Sequence, residues 1–385
     1  MGIAPMKTDL VVVGSGFFGL TIAREAAERL NLNVLIIEKR QHLGGNAYSY
    51  FDSETGIEIH KYGSHLFHTS NERIWEYVNR FTKFNSYQHR VFTIHNNQSF
   101  SMPINLSTMC QFYKKYLTPS EARDLISQES LALSNSEASN LEERAISLIG
   151  KPLYEAFIKG YTQKQWETDP RLLPAEIINR LPVRYNFESR YFSDKYEGLP
   201  LDGYSAWINR MADHPLIEFK LEEDFLPRKN DYIGRVPVVY TGSIDSYFNS
   251  EFGELNWRTL DFENEILEIP DFQGTSVVNY ADLDVPFTRI HEFKHLHPER
   301  NHEMQKTFIS KEYSRMAGSA DEPYYPVGLS ADLEKLKEYK NLAKAEKNVW
   351  FGGRLGSYKY LDMHMAIGAA LTMFENDLLP NFSSK

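Results

Sequence analysis

Residues 10–45 constrain the fold of this chain more than any other stretch. Leu10-Val-Val-Val13 is a run of β-branched and leucine side chains, and Gly14-Ser15-Gly16-Phe17-Phe18-Gly19 comes directly after it. Leu20, Ala23, Ala27 and Leu30 then recur on one helical face, and Val34-Leu-Ile-Ile37 is a second buried-strand pattern that ends at Glu38. A glycine turn between strand and helix aims backbone N–H groups and the positive helix end at an anion. A carboxylate placed like Glu38, about twenty residues past the last glycine, accepts bonds from a ribose hydroxyl. Glycine turns also occur for purely structural reasons, but with both strands and the helix in place the pattern reads as a dinucleotide site.

The residues after Glu38 extend that site. Lys39 and Arg40, then Gly44-Gly45-Asn46, give backbone that a longer ligand can approach closely. This extension resembles FAD enzymes of the amine-oxidase type. At the far end of the chain Val349-Trp-Phe351 reads as a strand, Gly352-Gly353-Arg354 comes next, and Asp362 stands as N-cap of an apolar helix from Met363 to Phe374. A second helix N-terminus there would face the ribityl-phosphate side, with Arg354 as its cationic partner. An ordinary terminal helix packed on the sheet is the competing reading.

With 385 residues the chain can bury a large core divided among two or three domains. Its one cysteine, Cys110, excludes an internal disulfide framework and fits a reducing compartment, with a small buried hydrophobe as its expected role. The uncharged run from Leu10 to Ala23 is broken by glycines and is shorter than the ~20 residues a membrane helix needs. It has neither the basic start nor the cleavage signal of a secretory peptide, so a soluble cytoplasmic protein without a membrane segment is expected. A balance of 42 basic against 52 acidic residues disfavours nucleic acid as a partner, and an anionic substrate would need locally placed arginines.

The spacing predicts a helix over 71–81 and a hairpin of 90–94 with 98–102 around Asn96-Asn97. Helix starts at Thr118-Pro-Ser-Glu and Asn140-Leu-Glu-Glu mark a helical region over 105–160, with the Ser/Asn-rich piece 133–140 as a loop inside it. Short aromatic and β-branched runs at 185–192 and 256–288 suggest an antiparallel sheet. A helix over 203–212, strands at 216–221 and 236–242, and the unit 349–374 would complete the sheet begun at residue 10. The expected fold is therefore α/β: a doubly wound FAD-binding sheet with an inserted helical domain and an antiparallel β-sheet domain. The discontinuous FAD-binding domain takes 1–85, 195–243 and 315–385; the helical domain takes 86–160; the sheet domain takes 161–194 and 244–314.

There is no phosphate-binding P-loop, no G-x-S-x-G elbow, no H-E-x-x-H and no second G-x-G-x-x-G, so the hard chemistry falls to the flavin. His60, His65 and His68 lie just past the nucleotide unit, where their loop could cover the flavin ring; no cysteine or paired carboxylate completes a metal site, and none is expected. His291, His295 and His297 read as a strand and a polar turn. Phe157 and Tyr161, four residues apart, share a helix face and could wall a pocket for a flat base, or simply pack a helix end. Trp166 falls on a polar, proline-ended loop as an anchor or lid. Arg180, Arg184 and Arg289 are candidates for phosphate oxygens because guanidinium offers a rigid bidentate fork.

The strings VVGSGFFG, GGNAYS, HKYGSHLFHTSN, ISLIGKPLYEAFIKGYTQKQW, LPVRYNF, RYFSDKYEGLP, DVPFTRIHEF, DEPYYP and FGGRLGSYKYLDMHMAI stand in consistent order. Over essentially its whole length the chain resembles UDP-galactopyranose mutases. The resemblance implies a homodimeric FAD protein, active in the reduced form, that interconverts UDP-galactopyranose and UDP-galactofuranose without net redox change, flavin N5 attacking the anomeric carbon and displacing UDP. It implies Phe157 and Tyr161 as the uridine-stacking pair, Trp166 on a mobile loop, and Arg180 and Arg289 on the diphosphate. Tyr191, Tyr325 and Tyr360 add hydroxyl donors, with Asn279 nearby, and His65 and His68 stand beside the flavin ring with catalytic parts. The implied cofactor contacts are Gly14, Ser15, Gly16, Phe18, Gly19, Glu38, Lys39, Arg40, Gly45, Asn46, His65, Leu66, Arg354, Asp362 and Met363. A flavin oxidase of the amine-oxidase type and a non-catalytic nucleotide-sugar binder are the rival readings.

Overall fold

The first strand, Leu10–Val13, is buried at all four side chains, and so is Val34–Ile37. Strands apolar on both faces belong inside a parallel sheet covered on both sides. They lie at the centre of a five-stranded sheet in the order Val349–Phe351, Val238–Tyr240, Leu10–Val13, Val34–Ile37, Ile217–Lys220, every pair parallel. One face is covered by the helices Phe17–Leu30, Tyr204–Ala212 and Met363–Met373, whose apolar sides merge with Leu10, Val12 and Ile36 in the largest core cluster. Phe225, Tyr240 and Tyr247 pack the opposite face against Val11, Val13 and Ile37. Strand order reverses between the neighbours Leu10–Val13 and Val238–Tyr240, whose following connections leave to opposite sides, and a crevice opens at their carboxyl ends. The computed structural model describes residues 7–130, 138–180, 182–300, 302 and 305–383.

The second sheet has seven strands, ordered Tyr325–Pro326, Trp257–Leu267, Thr307–Met316, Arg289–Glu292, Val277–Tyr280, Val91–His95, Gln98–Met102. It departs from expectation in three ways. It is mixed, because Val277–Tyr280 runs parallel to Val91–His95. The predicted hairpin forms, with Asn96 and Asn97 both at positive φ (48° and 57°), the geometry a two-residue turn of this kind demands. That hairpin closes one edge of this sheet instead of belonging to the helical region. Finally, 185–192 contains no strand: Arg184 Nη2 donates to Ser193 Oγ at 3.0 Å and Nη1 to the carbonyls of Glu188 and Arg190. A guanidinium serves that loop's carbonyls where a ladder was expected, and Arg184 is thereby committed to structure.

The helical region is built as its caps predict. Glu121 accepts from the backbone and hydroxyl of Thr118 at the start of Pro119–Ser130, and Asn140 accepts from Glu143 N at the start of Leu141–Ile149. Most of the loop expected at 133–140 lies outside the described residues. Two elements then differ from the expected plain helix. Tyr154–Lys159 is a π-helical turn, and Gly160–Trp166 resumes the α-helix, ending at Trp166 with Glu167 in the left-handed region (φ 46°). Trp166 is thus the last residue of a helix and not a loop residue. Among the described residues no helix is long and apolar enough to cross a membrane.

Candidate active site

The carboxyl ends of the parallel strands open into a cavity of about 530 Å³ lined by Gly14, Gly16, Phe18, Gly19, Glu38, Lys39, Arg40, Gly45, Asn46, Arg354 and Met363, all expected on the cofactor. The glycines have separate reasons. A Cβ on Gly19 would collide with the Gly14 carbonyl, so helix and turn close only around glycine; a Cβ on Gly16 would meet nothing within 4 Å and would project into open space. Glu38 has a structural duty beyond the one foreseen. One of its oxygens accepts from Ser15 N at 2.9 Å and Ser15 Oγ at 2.7 Å, the other from Arg40 N at 2.9 Å. Ser15 is fully buried and braces the turn from behind. A carboxylate has about four lone-pair sites, so Glu38 retains capacity for a ribose.

Arg40 is the clearest sign that this cavity receives an anionic or polar group. Its Nη2 donates to Asn46 Oδ1 at 2.9 Å and Glu322 at 2.8 Å, while its Nη1 is buried without a partner among the described residues. Burial works against the Arg40 charge, and Glu322, Tyr62 and Glu38 together more than restore it. An orphaned guanidinium nitrogen beside a glycine turn and helix start fits a dinucleotide.

A second cavity of about 300 Å³ shares Asn46, His65, Arg354 and Met363 with the first. It is lined by Phe157, Tyr161, Tyr191, Asn279, Arg289, Tyr325, Tyr360 and His68, residues drawn together from the helical region, both halves of the large sheet and the histidine loop. Leu66 and Asp362, expected on the cofactor, line this cavity and not the first. Asp362 does occupy the N-cap position, but its side chain makes no capping bond. Arg354 is held by the carbonyls of Tyr324 and Leu361 at 3.1 and 2.7 Å and stands over the rings of Tyr325 and Tyr360.

Arg289 is the electrostatic centre. Nη2 donates to the Tyr161 hydroxyl at 2.6 Å, and Nε lies 3.1 Å from Glu312 Oε1. Burial is the strongest influence on Arg289 and opposes its charge, yet Glu312 together with the Tyr161, Tyr325 and Tyr191 hydroxyls drives the pKa well up. At Glu312 burial is likewise overcome by Arg289, His291 and Thr288 acting together, which hold that carboxyl low. Burial raises the Tyr161 hydroxyl to about 12, so it stays protonated. Glu312 also accepts from His291 Nε2 at 3.0 Å, and His291 Nδ1 accepts from Ser64 Oγ at 2.8 Å. A chain of hydrogen bonds, with one ion pair between Arg289 and Glu312, therefore runs from the histidine loop through two sheet strands to the helix of Tyr161. Glu312 and His291 were not foreseen. The signal available was Phe308, Ser310 and Glu312 alternating on one buried face of a strand, where a carboxylate demands a partner.

The two loop histidines differ. His65 Nδ1 faces the Gly63 carbonyl at 2.8 Å and so carries the proton, leaving Nε2 an acceptor; burial takes its pKa down to about 4. His68 Nδ1 bonds Asp194 at 2.7 Å and its ring stacks on Phe192 at 3.7 Å, so Nε2 is the nitrogen left for the cavity. Asp194 and Phe192 are further residues the sequence reading missed. His68, Asp362 and His364 also bring ligand atoms within 4.8 Å of one another, but the positive end of Met363–Met373 and Arg354 oppose a cation there.

Phe157 forms part of the cavity wall with its ring edge against Phe100 and Phe112, so it serves core and cavity together. Phe157 in the π-turn and Tyr161 in the α-helix that continues it line the same wall. Trp166 lines neither cavity; it packs on the helical cluster, and its carbonyl accepts from the buried Arg258 at 3.3 Å. Arg180 ends the short helix Ala175–Arg180, and its side chain lies outside the described residues.

A family model described as UDP-galactopyranose mutase matches residues 156–360, and one described as an NAD(P)-binding Rossmann-like domain matches residues 12–81. A "Probable UDP-galactopyranose mutase" of Klebsiella pneumoniae is 45% identical over 364 residues, covering 94% of this chain and 93% of that one. The chain belongs to the UDP-galactopyranose mutase family. A second relative, the dTDP-fucopyranose mutase of Escherichia coli, is 42% identical over 369 residues, covering 94% and 96% of the two chains. A crystal structure described as reduced UDP-galactopyranose mutase superposes with a TM-score of 0.75, covering 97% of this chain and 94% of that one at 14% identity, which establishes the shared fold. Membership of the mutase family, with the Rossmann-like match, implies a flavin-type cofactor, and it favours a mutase over an amine-oxidase-type flavoenzyme.

Proposed function

We propose that this protein is an FAD-dependent mutase that interconverts UDP-galactopyranose and UDP-galactofuranose. The observation that carries the reading is Arg289, a half-buried cation hydrogen-bonded to an aromatic hydroxyl in a cavity that shares part of its wall with the nucleotide cavity. A small amine substrate would have no use for such a group; a nucleoside diphosphate needs it.

The backbone at Gly14–Gly19, with Ser15 and Glu38 bracing it, and Lys39, Arg40, Gly45, Asn46 and Met363 would hold the dinucleotide, with His65 and Leu66 beside the ring. In its reduced form the bound flavin supplies a nucleophilic nitrogen, N5, for the anomeric carbon. The remaining work belongs to the chain. Phe157 and Tyr161 would wall the uracil, and closure of Trp166 over the nucleotide would require movement of its helix end. Arg289 and Arg180 would meet the diphosphate and offset the charge that grows on UDP as the anomeric C1–O bond breaks. Tyr191, Tyr325 and Tyr360 would donate to phosphate or sugar oxygens, and the buried Asn279 Oδ1, without a hydrogen-bond partner among the described residues, would accept from a substrate hydroxyl. His65, uncharged, would act as an acceptor and not as an acid. His68, its tautomer set by Asp194, would present Nε2 to the sugar. Because two hydroxyls compete to reclose one tethered sugar, the shape of this pocket decides the ring size.

The relative at 42% identity supports a second substrate reading, dTDP-fucopyranose, which needs the same ring contraction on another nucleoside diphosphate. The test offers UDP-galactofuranose and dTDP-fucofuranose separately to the flavin-loaded protein with dithionite, and monitors nucleotide sugars by chromatography. UDP-galactopyranose is expected, with no turnover by the oxidised protein. Failure to form either pyranose with reduced flavin bound overturns the mutase reading, and faster conversion of the dTDP sugar moves the assignment to it.

A further inference from the structure

Lys164 has no part in either cavity, yet its surroundings are those of a bound cation. Its Nζ donates to the carbonyls of Tyr280, Asp282, Val285 and Phe287 at 2.7, 2.8, 2.9 and 3.1 Å. An ammonium has three hydrogens, so four carbonyls around it form a complete shell with one hydrogen shared. The shell is made by the end of the strand Val277–Tyr280 and the connection from it to the strand Arg289–Glu292. Tyr280 comes directly after Asn279, and Phe287 stands two residues before Arg289. One side chain thus ties both flanks of the loop that carries the two cavity residues.

The helix bearing Lys164 approaches this loop unusually closely. A Cβ on Gly160 would collide with the Ala281 carbonyl, so the approach exists only because residue 160 has no side chain. Gly160, Tyr161 and Lys164 occupy positions i, i+1 and i+4 of one helix start, and each engages the same connection or its flank: Gly160 by contact, Tyr161 by its bond from Arg289, Lys164 by the carbonyl shell. A lysine in the last turn of a helix is usually a solvated partner of the helix dipole. Here burial lowers its pKa, to about 8, as befits an ammonium enclosed by protein.

We propose that Lys164 is a positioning residue for Arg289: its ammonium gathers the 280–287 carbonyls and sets the guanidinium against the helix that carries Tyr161. The proposal rests on Arg289 as a diphosphate ligand. Losing the ammonium leaves four part-buried carbonyls facing one another without their donor, which push the loop outward and take Arg289 with it.

The test uses the flavin-loaded full chain with Lys164→Met, with Lys164→Gln as the gentler variant should Met compromise folding. UDP affinity, KM and kcat, and amide hydrogen exchange of 281–289 are measured, and each variant is combined with Arg289→Ala. At least a tenfold loss of UDP affinity is expected, with KM raised more than kcat is lowered and faster exchange confined to 281–289. In the Arg289→Ala background the same change should cost less than twofold further. Unchanged affinity in a folded variant, or losses that multiply fully in the double variant, overturns the proposal. Should the unaltered protein fail to bind UDP, the functional reading falls and exchange alone decides: acceleration at 281–289 upholds the clamp, and unchanged exchange refutes it.

Discussion

Glu312 Oε1 stands 3.1 Å from Nε of Arg289 across two adjacent antiparallel strands; the carboxylate is withdrawn from solvent and the guanidinium is partly exposed. The carboxylate cancels a charge that would otherwise be costly to bury before any ligand arrives. Glu312→Gln should therefore lower stability, by about 2 kcal/mol, less than for a fully buried pair because the guanidinium keeps some contact with solvent. UDP should then raise the variant's melting temperature more than that of the unaltered protein, because the diphosphate replaces the missing charge. Thermal unfolding with and without UDP checks both parts.

Removing the cation has the opposite signature. Arg289→Ala and Arg180→Ala should each reduce kcat/KM by about 3 kcal/mol of transition-state stabilisation, the scale of losing one charged stabilising donor. Steady-state turnover under dithionite is the measurement. Unchanged turnover in either variant removes that residue from the diphosphate site.

The glycine turn makes a prediction that separates folding from loading. Gly16→Val should leave a folded protein depleted of flavin, because its side chain would project where no protein atom lies within 4 Å of a Cβ. Gly19→Ala should impair folding itself, through collision with the Gly14 carbonyl. Circular dichroism and the flavin-to-protein ratio distinguish the two.

Acid should weaken the fold in a particular window. Burial takes His60, His65 and His89 to about 3, 4 and 3, whereas an unfolded histidine titrates near 6.5. Below pH 6.5 the unfolded chain binds protons that the folded one refuses, so stability falls with falling pH by up to about 1.4 kcal/mol per unit for each such histidine. Carboxyls held low, such as Glu312, add to the loss only below their ordinary 4.5. Denaturant unfolding at pH 7, 6 and 5 should show the decline, and His89→Gln should make it shallower. A flat profile over that range contradicts neutral burial of these rings.

Trp166 offers an optical reporter. If its helix end moves over the nucleotide, UDP should quench the fluorescence of the unaltered protein and leave Trp166→Phe unaffected. Equal quenching in both assigns the signal to another tryptophan.

The parts legible in advance were those set by local chemistry. Strands Leu10–Val13 and Val34–Ile37, the turn between them and the caps at Asn140 and Thr118 arise from side-chain pattern and turn geometry alone. The loop at 185–192 was misread because β-propensity carries no information about Arg184, whose guanidinium engages the loop's carbonyls. The four-residue spacing of Phe157 and Tyr161 placed them on one wall, whereas the π-turn that carries Phe157 has no signature in that spacing. Glu312, His291 and Asp194 escaped notice because each acquires meaning only from a partner distant in sequence.

Asn46, His65, Arg354 and Met363 belong to the walls of both cavities. A ligand that tightens those side chains on one side does so on the other, and the free energy of that adjustment is common to both binding events. Each occupant is then an effector of its neighbour, and linkage makes the factor mutual: by whatever factor a sugar nucleotide tightens binding of the dinucleotide, the dinucleotide tightens binding of the sugar nucleotide by the same factor.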